Sequence, residues 1–210
     1  MDPCILFHLK DCLKKMIQER VLSLECEQDV SKVQLKFVAP DSKFVDGLTS
    51  DPAINCYLIG LSEDMQRRQS EPHRSTLHLN KTMRVWKKEP RFVEVHYMIT
   101  VWNKDPGSSA DIEHIILGYL ISGLGSLDFI PDDLLDEFDL NVQPYGIRMT
   151  LFGSTNSEKI GGQVWQAMES TPKPVLMLTL SVPVSVSPLK LVPVVREIER
   201  AVNPTTEENK

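Results

Sequence analysis

The sequence predicts an α/β (α+β) protein: a mixed, mainly antiparallel sheet with helices packed on one face, plus an extended C-terminal arm. Three observations predict this class. Residues 3–22 place apolar side chains at helical spacing, whereas 53–61, 91–102 and 174–186 carry strand-like apolar runs. Helical and strand segments interleave in the order α-β-β-loop-β-α-α-β-α-β with no internal repeat, which fits helices laid against one sheet. The last apolar stretch, VPVSVSPLKLVPVV (182–195), is punctuated by Pro183, Pro188 and Pro193, and prolines belong at sheet edges and in extended arms.

Each element follows from local pattern. In residues 3–22, Asp2 suits the N-cap and Pro3 the first helical position. Ile5, Leu6, Leu9, Cys12, Leu13, Met16, Ile17 and Val21 make one stripe, and Lys10, Lys14, Lys15, Glu19 and Arg20 cover the other side. KVQLKFVA (32–39) alternates as a strand, and AINCYLIGL (53–61) follows the turn signal Ser50-Asp51-Pro52 as a more buried one. Residues 62–89 are polar without a clean period, which predicts a long loop or a pair of short ribbons. After the strand at 91–102 and the turn KDPGSS (104–109), Asp111 is placed to cap a helix reading DIEHIILGYLISGLGSL. PDDLLDEF (131–138) predicts a short acidic helix or turn, 141–152 a strand, and 161–168 a short helix; TTEENK at the end predicts disorder.

Bulk properties narrow the function. A chain of 210 residues suits one domain, here 1–186, with 187–210 as arm and tail. A net charge of −6 gives no global argument for nucleic acid or an anionic membrane. No apolar run approaches the roughly 20 residues needed to span a bilayer, and the N-terminus has no secretory-signal pattern. Cys4, Cys12, Cys26 and Cys56 form no CxxC pair, so they are expected as buried free thiols in a reducing cytosol.

Catalytic and cofactor motifs are missing from the sequence. His8, His73, His78, His96 and His114 fit no zinc spacing. SGLGS (122–126) follows a helix, whereas a phosphate cradle needs strand, loop and then helix N-terminus. GSTNSEKIGG (153–162) lacks the Gly-Lys-Ser/Thr ending of a P-loop, and no serine sits in a GxSxG elbow. The acids at 132–139 lack the EF-hand order. No cofactor or metal is expected.

The strand PRFVEVHYMITVW (90–102) raises the one catalytic possibility. Val93, Val95, Tyr97, Ile99 and Val101 fall on one face; Glu94, His96, Met98 and Thr100 fall on the other. Glu94 and His96 could be an acid and base, but nucleophile, oxyanion donor and pocket motif are absent from the pattern. A core face backed by a mixed face explains the alternation without catalysis.

Charge is unevenly placed. Between residues 66 and 91 stand eight basic residues (Arg67, Arg68, Arg74, Lys81, Arg84, Lys87, Lys88 and Arg91) against Glu71 and Glu89. Between 111 and 139 stand eight acids, among them Asp132, Asp133, Asp136 and Glu137, with no Lys or Arg. Two unrelated solvated faces would produce this. So would head-to-tail contacts between copies, which close into rings. A nucleic-acid module on the basic stretch is a third reading, with Trp86 and Phe92 nearby for stacking.

A wider pattern resembles a known family. It comprises the N-terminal helix, INCYLIGL with the basic pair Arg67-Arg68, Pro90 leading into VEVHYMITVW, EHIILGYLISGL, and VWQAM followed by VLMLTLSVPV. Over residues 3–186 this is similar to the terminator or cap proteins of phage-tail-like contractile injection systems, of the antifeeding-prophage and Photorhabdus virulence cassette type. The resemblance implies a non-enzymatic structural protein without cofactor. It implies a ring, hexameric in this family, that ends inner-tube polymerisation and anchors the last sheath layer distal to the baseplate. Implied partners are further copies of itself, sheath protein and inner-tube protein, with no nucleic acid and no insertion into a membrane. Implied too are assembly in the bacterial cytoplasm and residence in a particle that is released or membrane-associated. A baseplate or tube-adaptor component is the alternative. The expected subunit-interface residues are Arg67, Arg68, Arg84, Lys87, Lys88, Asp132, Asp133, Asp136 and Glu137. The C-terminal stretch is either a last edge strand on the protein's own sheet or an arm, with Val184, Val186, Leu189, Leu191 and Val194, that adds a strand to a sheath subunit.

Overall fold

A computed structural model describes residues 4–23, 32–68, 74–77, 83–87, 90–104, 109–140, 142–152, 162–185 and 190–193. The strands are β1 (Gln34–Lys36), β2 (Ala53–Glu63), β3 (Arg74–Leu77), β4 (Met83–Lys87), β5 (Arg91–Trp102), β6 (Arg148–Leu151), β7 (Leu176–Val184) and β8 (Lys190–Pro193). The helices are α1 (Ile5–Met16), α2 (Ser42–Asp46), α3 (Ser109–Gly125), α4 (Asp132–Glu137) and α5 (Gly162–Ala167); α1 continues into a π-helical turn, Ile17–Val21. The chain divides into two compact units, residues 1–68 with 90–184, and residues 69–89 with 185–210.

The larger unit holds a five-stranded sheet in the order β1-β2-β5-β7-β6. Only β1 runs parallel to its neighbour; β2, β5, β7 and β6 pair antiparallel. The fold class is therefore mixed and mainly antiparallel, as the alternating patterns predict. The long central β5 owes its place to those patterns. Val95, Tyr97, Ile99 and Val101 are all buried on one face, joined by Ile54 and Cys56 of β2 and by Leu178, Leu180 and Val182 of β7. The predicted N-terminal stripe lies against that cluster through Leu9, Leu13, Met16, Ile17 and Val21, with Ile116, Leu120 and Leu124 of α3 and Leu134 and Leu135 of α4 beside them. Gly123 makes the close approach possible: a Cβ there would stand 2.7 Å from Val21 Cγ1.

The opposite face carries a second, smaller cluster. Met98 and Trp102 of β5 meet Met177 of β7 and Trp165 of α5, with Phe44 and Val45 of α2 packed alongside. Helices thus lie on the expected face, and two short ones also close one end of the other. Asp41 caps α2 by accepting from the Phe44 amide at 2.8 Å.

β2 contains one irregularity. Its register with β5 shifts between Leu58 and Gly60, so that Leu58 stands opposite Tyr97 and Gly60 opposite His96. Ile59 is the extra residue of a bulge.

Several boundaries differ from the sequence expectation. α1 starts at Ile5 and α3 at Ser109, so Asp111 lies in the first turn of α3 and does not precede it. The strand expected over 141–152 is confined to Arg148–Leu151, because Pro144 lacks an amide donor and residues 143–145 form a turn with a cis Gln143–Pro144 bond. Cys4 is exposed, whereas Cys12 and Cys56 are buried, their thiols pushed by burial up to about 11 and about 12. Cys26 and the tail TTEENK lie outside the described residues.

The second unit is a three-stranded antiparallel sheet, β3-β4-β8. It draws a ribbon from the polar stretch 62–89 and an edge strand from the proline-punctuated C-terminus. Arg84 of β4 pairs with Val192 of β8, and Val85 with Leu191.

Candidate assembly surfaces

The mixed face of β5 beyond the Trp102 cluster is polar and closely bonded. Ser62 Oγ donates to Glu94 Oε2 at 2.9 Å and lies 2.9 Å from His96 Nε2; His96 Nδ1 lies 3.1 Å from Thr179 Oγ1. His96 is buried. Glu94 and His96 cross-link neighbouring strands.

A second polar knot lies past the end of β2. Asp64 is buried, and its Oδ1 accepts from the amides of Gln66 and Arg67 at 3.0 and 3.1 Å. Ser181 Oγ of β7 donates to Asp64 Oδ2 at 2.6 Å. Arg67 Nη1 donates to the Ser181 carbonyl and reaches Ser181 Oγ, both at 3.3 Å, while Nη2 donates to the Tyr145 carbonyl at 3.1 Å. Its guanidinium sits 4.0 Å above the Phe92 ring, which in turn meets Tyr145 edge-on. Burial pushes the Asp64 carboxyl up. The bonds from Ser181, Arg67 and Gln66, with the Arg67 charge, outweigh this and hold it below the usual carboxylate range. Of the expected interface residues, Arg67 is thus bonded inside its own unit. Arg68 beside it is exposed and lies 3.9 Å from Glu63.

The acidic helix α4 is partly neutralised from within. Glu137 pairs with Lys15 of α1, and Asp133 with Arg20 of the π-helical turn. Asp132 accepts from Gln143 Nε2 at 3.1 Å. Asp136 lines a shallow groove of about 500 Å³ with Leu135, Asp139, Leu140 and Gln143. Arg84 and Lys87 stand on β4 of the second unit, and Lys88 lies outside the described residues. Val184 is half-buried at the end of β7, and Leu191 is in β8; Val186, Leu189 and Val194 lie outside the described residues.

Pattern reading missed Asp64, Ser181 and the Lys15 and Arg20 partners of α4. Asp64 had a local signal, since an aspartate just past a strand often accepts from amides two and three residues on. Ser181 had none, because its role depends on β2 and β7 meeting across β5. Glu113 was similarly hidden: it is buried, accepts from the Asn103 amide at 3.0 Å and pairs with Lys173 at 2.6 Å. Among the described residues no group of His, Cys, Asp and Glu could hold a metal ion, and no helix is long and apolar enough to cross a membrane.

A mixed, mainly antiparallel sheet with helices packed against it defines an α/β domain. The family model described as the Pvc16 N-terminal domain matches residues 8–197, and the chain belongs to that family. Two solved structures share the fold. One, by cryo-electron microscopy, is a PVC sheath/tube terminator in the extended state, from an extracellular contractile injection system; it matches 97% of this chain and 65% of its own at 15% identity, with a TM-score of 0.66. The other is the anti-feeding prophage cap, a tube-terminating cap, matching 92% of this chain and 60% of its own at 18% identity, with a TM-score of 0.61. The chain therefore spans less than two thirds of either structure's length. Among curated proteins no sequence matches significantly.

Proposed function

We propose that this chain is a structural terminator of a contractile injection system. It forms a ring that ends inner-tube growth and anchors the last sheath layer at the end distal to the baseplate. The observation that carries the reading is a fold shared with two terminating caps over nearly the whole chain, within a family to which the chain belongs. The role is non-enzymatic, and the polar residues of the β5 mixed face support it by bonding strands together. Partners are further copies of the chain, in a hexameric ring, with sheath protein and inner-tube protein. Assembly takes place in the bacterial cytoplasm.

The seam between copies joins the basic stretch, with Arg68, Arg84, Lys87 and Lys88, to the acidic α4 of the next copy. Arg67 stands apart through its internal bonds. On α4, Asp133 and Glu137 share their charge with Arg20 and Lys15, so Asp132 and Asp136 carry more of the attraction. Such heterologous contacts close into rings. Leu191 is paired with Val85 in this chain's own sheet and Val184 lies in β7, so the sheath-facing arm is the open edge of β8 with Val186, Leu189 and Val194 in the chain flanking it.

The test is to assemble particles with and without this chain and measure tube length and end structure by electron microscopy. Without it, tubes are expected to vary in length and lack a distal cap. Uniform, capped tubes would overturn the reading, and a labelled chain found at the baseplate end would favour an adaptor role instead.

A further inference from the structure

The knot around Arg67 sits where the chain passes between the two units. The chain crosses after Arg68, returns before Pro90, and crosses again after Val184. These three points belong to one end of the larger sheet, since Glu63 is paired with Val93 and Arg91 with Val184. Asp64 and Arg67 stand at the first crossing, Phe92 just inside the second, and Ser181 just before the third. Past the last ladder pair of β2, its continuation is held by the Asp64 amide donating to the Phe92 carbonyl at 2.9 Å and by the Arg67 and Asp64 bonds to Ser181.

The second unit depends on these exits. Its β4 comes from the segment between the first two crossings and its β8 from the segment after the third, yet Arg84 must meet Val192. Pairing two segments of such different origin becomes easier when their roots are fixed near one another, because less chain entropy is lost on closure. We propose that Arg67 is a positioning residue for the second unit: through Ser181 and the Tyr145 carbonyl it fixes the strand ends from which β4 and β8 emerge, and so favours their pairing.

Hydrogen exchange on the purified full chain tests this without reference to any role at the tail end. In Arg67→Ala, amides of β4 and β8 are expected to exchange about tenfold faster, as local opening becomes easier, while the buried amides of β5 keep their rates. Ser181→Ala should act in the same direction. Arg67→Lys should not restore protection, because one ammonium cannot span Ser181 and Tyr145 as a guanidinium does. Lys36→Ala, at an exposed position on the edge strand β1, serves as the control and should leave the β4 and β8 rates unchanged. Unchanged β4 and β8 exchange in Arg67→Ala overturns the proposal. So does equal acceleration in β5, which would make Arg67 a general stabiliser of the fold. Should Arg67→Ala fail to fold, Ser181→Ala decides by the same two outcomes.

Discussion

The two faces of the five-stranded sheet are built on opposite principles. One is a continuous apolar layer under α1, α3 and α4, from Leu9 to Val182. The other is divided: an aromatic cluster around Trp102 and Trp165 at one end, and at the other a chain of hydroxyls and charges through Ser62, Glu94, His96 and Thr179. Non-directional burial gives the first face most of the stability. Directional bonds give the second face alignment between strands, each of modest net strength. The same substitution chemistry should therefore have different consequences on the two sides.

Leu120→Ala, on the fully buried side of α3, should cost about 2–5 kcal/mol in urea denaturation, since it removes apolar contact and leaves a void. Gly123→Ala probes the same layer by overpacking and should cost about 1–3 kcal/mol. The cost of Val21→Ala should then be smaller in the Gly123→Ala background than in the native one, because the clash is relieved. A double-mutant cycle reads that coupling.

On the polar side, Asp64→Asn should cost about 1–2 kcal/mol at neutral pH. Its folded pKa is depressed, so the stability it contributes is present above the unfolded value near 4 and is lost as pH falls through the folded value. The difference between native protein and Asp64→Asn, followed by urea denaturation at pH 7 and pH 3, should shrink in acid. Ser62→Ala should have the smallest effect, below about 1 kcal/mol, because Ser62 is exposed and water can replace it. A loss as large as that of Leu120→Ala would contradict the contrast between the faces.

What could be read from the sequence divides along the same line. The apolar layer was legible because period-2 and period-3.6 patterns record burial directly, as in Val93–Val101 and in the stripe from Leu9 to Val21. β6 was overestimated because the apolar residues Val142 and Ile147 are buried without extending the ladder. β3, β4 and β8 were harder, because their sheet unites a polar stretch with a proline-rich one. The interface residues posed a different problem. Composition shows that α4 is acidic, but only three-dimensional proximity reveals that Lys15 and Arg20 already face it. Arg67 and Arg68 are adjacent in sequence and similar in charge, yet one is tied to Ser181 and Tyr145 while the other is exposed.

The bulge at Ile59 reverses the parity of β2. Before it, even-numbered residues such as Ile54 and Cys56 point into the apolar core; after it, even-numbered Ser62 points to the polar face and odd-numbered Leu61 stands opposite Val95. A single inserted residue thus works as a phase shift in an alternating code. Deleting Ile59 would leave Leu61 opposite Val95, whereas forcing Ile59 into the ladder opposite His96, with residues 53–58 paired as they are, would send Leu61 to the hydroxyl side and Ser62 to the apolar side. The strand would keep its composition and lose its meaning.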